Sequence, residues 1–143
     1  MRLPTAILSL ALILISGNTN LAAQSGQLVD KLIEEQHAAF GKGVYLTLLA
    51  GGLITEEASI DESLTVLKAQ GWPLEPKSPE DPINLGEYSF LLMKAFEIPG
   101  GLLYAIFPGP RDACSELAYL GFSEGNSSPY WTMSGAEMLR IMG

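Results

Sequence analysis

The sequence predicts an all-α protein, a single domain of two helix–loop–helix repeats with a fainter third. Three observations carry this. The long apolar periods have helical spacing. The helix starts carry capping pairs and their ends carry glycine. The chain also repeats itself at an offset of 50 residues.

Residues 1–23 read as a secretory signal ahead of the fold. Arg2 supplies a short positive region, and Ala6 to Ile15 form an apolar run too short to span a bilayer. Ala23 suits the position before a cut, and no cysteine lies near it for lipid attachment. The competing reading is an uncleaved N-terminal anchor. Cleavage would leave 7 Lys and Arg against 16 Asp and Glu, a net charge near −9. That balance argues against nucleic acid and anionic lipid as partners, since both are held largely by Lys and Arg. It also leaves no integral membrane span and one modest core in residues 24–143.

The mature chain divides into N-terminal helices (24–58), a first repeat (59–98), and a connector with a second repeat (99–143). In "SGQLVDKLIEEQHAAF", Leu28, Leu32, Ile33 and Phe40 share a face, and Gly41 and Gly43 are expected to end the helix. "VYLTLLAGGLI" follows as a short buried helix, although Val44 and Tyr45 also suit a strand. "SIDESLTVLKAQG" opens on the capping pair Ser59 and Glu62 and stops at Gly71. "LGEYSFLLMKAF" is preceded by Asn84, with Glu87 three residues on. The connector "LLYAIFPGPR" is expected to cross the core, its Pro-Gly-Pro bend leading rigidly to Arg111. Pro110 and Asp112 then suit the start of a helix that Gly121 stops, and Ser134 with Glu137 caps the last.

The offset of 50 aligns Leu67 with Leu117, Gly71 with Gly121, Trp72 with Phe122, Ser78-Pro79 with Ser128-Pro129, Asn84 with Ser134 and Glu87 with Glu137. Glu87 and Glu137 therefore read as cap partners and not as a catalytic acid pair. His37, the only histidine, lacks further ligands for a metal and any accompanying nucleophile motif. Glu75, Glu80 and Asp81 lack the alternating pattern of a calcium loop. Cys114, alone in the chain, reads as a small buried apolar residue. No metal and no cofactor is expected. Trp72, Tyr130 and Trp131 fall in equivalent loops, which in a repeat share one side of the molecule. They either line a groove with Arg111 nearby or cover the underside of their own loops.

The segments "ESLTVLKAQGW" and "SPEDPINLGEYSFLLMKAF" resemble the S-layer homology module, a helix–loop–helix unit of exported bacterial envelope proteins. The likeness covers residues 60–98 well and 111–143 more loosely, with the fainter third unit at 26–54. It implies units packed about a pseudo-threefold axis, at the periplasm or surface of a bacterium. Modules of this family hold anionic wall polysaccharide with an arginine in the second helix's first turn. Leu85 and Gly135 occupy that position here, so binding led by negative charge is expected to be weak. The expected function is a non-enzymatic envelope module that binds a cell-wall glycan or an envelope protein. The alternatives are a small exported enzyme acting on glycans and a ligand-free structural subunit of a larger assembly.

Overall fold

The computed structural model describes residues 26–122 and 128–143, all in helices, turns and loops with two isolated β-bridges. The signal-like run, Ala23 and Gln24 lie outside the described residues. The chain forms two units, Met1–Lys31 and Leu32–Gly143. The described part of the first, residues 26–31, is helical. The second holds the core and the candidate site.

Helix α1 covers residues 26–34. It is followed by α2 (Phe40–Ala50), α3 (Ile60–Gln70), α4 (Leu85–Ala95), α5 (Leu102–Ile106), α6 (Pro110–Tyr119) and α7 (Gly135–Met142). The fold is therefore all-α. Helix α4 packs against α2 and α6, and α2 packs against α3. Most of α4 is buried, as its apolar sequence from Phe90 to Met93 requires.

Three capped starts behave alike. Ser59, Asn84 and Ser134 each accept a hydrogen bond from the backbone N–H three residues on, and Glu62, Glu87 and Glu137 each accept one from the cap's own N–H. Each box satisfies two donors that a helix start leaves without an intrahelical partner. At the other end, Gly71 (φ 67°) and Gly121 (φ 84°) take the left-handed conformation that closes α3 and follows α6.

The segments leading into α2, α4 and α7 join in a closed ring of backbone hydrogen bonds. Ala38 N–H donates to Met133 O (2.8 Å), Met133 N–H to Ile83 O (3.1 Å), and Ile83 N–H to Ala38 O (2.9 Å). A second set runs the other way: Phe40 N–H to Asp81 O (2.7 Å), Leu85 N–H to Trp131 O (2.8 Å), and Gly135 N–H to Glu35 O (2.9 Å). Each pair of neighbouring segments thus exchanges at least two bonds, and Gly41 N–H to Pro79 O and Gly86 N–H to Pro129 O (both 2.9 Å) add a third to two of the pairs. Ala38, Ile83 and Met133 are buried, so the backbone polar groups of this inner ring are met by its own members. The arrangement makes three units, related by steps of 45 and 50 residues.

Two expectations are corrected. The first helix does not continue to Phe40, and Gly41 and Gly43 do not end it. It stops at residue 34, residues 35–39 run out to join the ring, and both glycines lie inside α2. Their role is close approach. A Cβ on Gly41 would lie 2.8 Å from Ile60 and Pro79 side chains, and one on Gly43 would lie 2.7 Å from Ile83 Cδ1. Packing overrides the local signal.

The connector does not cross the core. In α5 only Tyr104 is buried, while Leu102, Leu103, Ile106 and Phe107 are 77%, 68%, 56% and 68% exposed. A five-residue helix beginning after Gly100-Gly101 can sink only one face, and Tyr104 occupies it. Lys94 lies near the rings of both Phe90 and Tyr104 (5.8 and 6.0 Å to their centres), which helps hold α5 to α4.

Candidate functional site

A groove of about 460 Å³ opens beside the starts of α4 and α6. Asn84 and Glu87 supply one wall, Pro110 and Arg111 another, and the loop around Leu74 to Lys77 a third, with Tyr130 at the rim. The local causes are visible in the chain. The capping box turns the Glu87 carboxylate back towards Asn84 N–H (3.1 Å), and proline at the first position of α6 sets Arg111 in its first turn. Gly86 lets the walls come together: a Cβ there would lie 2.9 Å from Pro129 Cβ and 3.2 Å from Pro110 O.

Lys77 organises the floor. Its ammonium donates to Glu87 Oε1 (2.9 Å) and to Pro82 O (2.7 Å), and Glu87 is only 7% exposed. A buried carboxylate needs such compensation, because desolvation disfavours its charge. Arg111 and Tyr130 are exposed, Tyr130 at 82%, and Arg111 takes part in neither ion pair of the described residues. The groove therefore offers an exposed cation in Arg111, one aromatic face, the exposed carboxylate of Glu75, and a cap carboxylate already engaged by Lys77.

The structure brings Arg111 and Tyr130 together but separates them from the tryptophans. Trp72 lines a neighbouring cleft of about 360 Å³ with Phe40, Leu64 and Leu67. The two share Leu74, Glu75 and Lys77. Trp131 is 47% exposed and lines neither, and its carbonyl is committed to the ring. Sequence reasoning missed Lys77 and Leu74, which lie in a loop with no periodic signal. The proline at 79, matched by Pro129, was the only cue that this loop has a fixed path.

Elsewhere the polar groups have structural settings. Glu62, Glu87 and Glu137 all close their own capping boxes. Cys114 is buried, and burial pushes its thiol upward, partly offset by the neighbouring Ser89. His37 is exposed. Among the described residues no three His, Cys, Asp or Glu gather as metal ligands, and no helix is long and apolar enough to cross a membrane. No family model matches the chain, and no curated protein or solved structure does so either.

Proposed function

We propose that this chain is an exported, non-enzymatic module of the bacterial envelope that binds a cell-wall glycan in the groove at the starts of α4 and α6. The signal-like first 23 residues and the acidic mature composition support export as a dispersed protein. The likeness to S-layer homology modules, proposed from the capped repeat, is supported by the ring in which the capped starts of α4 and α7 meet the uncapped start of α2.

The observation that carries the binding reading is the groove itself. It joins an exposed aromatic ring to Arg111 and to polar groups on two helix starts, which suits a ligand with apolar faces and many hydroxyls. The reading is non-enzymatic because, of the two carboxylates that line the groove, Glu87 serves its cap and is held by Lys77, which leaves Glu75 without a second free carboxyl to pair with. A glycan-cleaving pair needs two carboxyl groups flanking one bond, one of them free to give a proton.

The motif arginines are absent, and Lys77 is occupied, so Arg111 is left to meet a negative charge. Binding should therefore depend more on stacking and hydrogen bonds than on charge. The test is co-sedimentation with purified wall material at about 0.1 M and about 1 M salt, where the screening length falls from about 10 to about 3 Å. Binding that persists at high salt and is lost in Tyr130→Ala supports the reading. Tight binding that vanishes at high salt and survives Tyr130→Ala and Trp131→Ala would instead mark a charge-led site.

A further inference from the structure

From Ile98 to Pro110 the chain carries no charged residue, and within this stretch α5 and the Phe107 that follows it turn Leu102, Leu103, Ile106 and Phe107 outward, each more than half exposed. With full residue areas of roughly 170–200 Å², these four together present apolar surface on the order of 500 Å², in the upper part of the range for a monomer's largest patch, a size that is often functional. Helix α6 prolongs it. A Cβ on Gly101 would lie 2.8 Å from Glu116 Oε1, so the start of α5 sits against α6 at that residue. Leu120 lies one turn further on, its N–H bonded to Glu116 O (3.0 Å), and is 46% exposed.

We propose that this face is a homodimer interface, with α5 packing against α5 of a second copy about a twofold axis. The area fits. With the exposed Gly101 and Ala105 and with Leu120, the patch reaches about 600–700 Å² per copy, so two copies would bury on the order of 1,200–1,400 Å², at the lower end of the range for stable complexes. The charge pattern fits too. A twofold interface sets a surface against its own image, so a charged patch would repel itself, whereas residues 98–110 add no charge, and the half-buried Glu116 lies beside them at Gly101. The rest of the chain is acidic, with a formal net charge of −8, so the uncharged segment is where two copies approach at least electrostatic cost. None of α5 lines the groove, so dimerisation leaves that site open whether or not it binds glycan. Because the contact is apolar and the remaining charges repel, salt should tighten the dimer.

Sedimentation velocity on protein purified from cells expressing the full chain, from about 1 to about 200 μM, reads this directly. The expected result is a concentration-dependent doubling of mass that strengthens between about 0.15 M and about 1 M salt. Leu103→Gln with Phe107→Ser should weaken association at least tenfold without changing the helical circular dichroism. A second arm does not depend on how that variant folds. Ile106→Cys should give a disulfide-linked dimer on mild oxidation, while Glu80→Cys, exposed in a different loop, should not. A monomer at the highest concentration, a dimer indifferent to the α5 changes, or cross-linking no better at residue 106 than at residue 80 overturns the proposal. So does a monomer that floats with phosphatidylcholine vesicles, which would assign the patch to a lipid surface.

Discussion

Gly135→Ala should be the most damaging glycine-to-alanine change among the described residues. A Cβ at residue 135 would overlap the Leu32 carbonyl oxygen and lie 2.6 Å from the carbonyl carbon and 2.9 Å from Leu32 Cγ. The obstacle is backbone, so no rotamer relieves it; α7 or the turn after Leu32 must move by more than an ångström. That motion strains two ring bonds at once, Gly135 N–H to Glu35 O (2.9 Å) and Ala38 N–H to Met133 O (2.8 Å). Each is worth about 1 kcal/mol net, and overpacking adds about 1–3 kcal/mol. The expected loss is about 3–5 kcal/mol, a large part of the roughly 5–15 kcal/mol that stabilises a domain. Urea unfolding followed by circular dichroism measures it, with Gly109→Ser as the control. Gly109 is extended (φ −171°), with nothing within 4 Å of its added Cβ, and it caps α6, where serine is favoured. A Gly135→Ala stability within about 1 kcal/mol of the parent protein would refute the closed ring.

The caps and the buried ion pair should separate by mutation. Ser134→Ala should cost about 0.5–2 kcal/mol in urea unfolding. Glu87→Gln, which the capping box alone would tolerate, should cost about 1–2 kcal/mol because it also removes the partner of Lys77 in a mostly buried setting. Tyr88 is fully buried, donates to Met138 O (2.7 Å), and is pushed well above its ordinary value of 10.0 by burial. The folded state therefore keeps a proton that the unfolded state loses above pH 10. Its contribution is fully present below that pH and should fall by about 1.4 kcal/mol per pH unit above it, as thermal melts would show. Tyr88→Phe should remove this part of the alkaline slope; an unchanged slope would contradict the burial argument. For export, N-terminal sequencing of protein recovered outside the cytoplasm should begin at or near Gln24, and retained Met1 would contradict it.

Local chemistry was readable in the sequence and long-range packing was not. The three capping boxes depend only on residues three apart, and Gly71 and Gly121 only on the backbone at one position, so spacing alone located them. Gly41 and Gly43 look the same in the sequence as a helix stop. What places them inside α2 is the approach of Ile60, Pro79 and Ile83, which are 19 or more positions away. The offset of 50 related the second and third units, whereas the first departs from it by five residues and shows itself through the ring. Apolarity misled at α5, because an apolar run does not say which face is covered. For the groove, Arg111 was singled out by its place after Pro-Gly-Pro, but Lys77 joins it only through a buried contact with Glu87.

Whether the groove between the starts of α4 and α6 takes a wall glycan is read most directly by amide chemical-shift mapping. The isotope-labelled protein is titrated with soluble fragments of purified cell wall. Shifts should saturate with added fragment and cluster at residues 74–77, 84–87, 111 and 130, leaving α5 unmoved. Shifts confined to α5 or to the cleft around Trp72, or a spectrum unchanged by wall fragments at millimolar concentration, would contradict glycan binding in this groove.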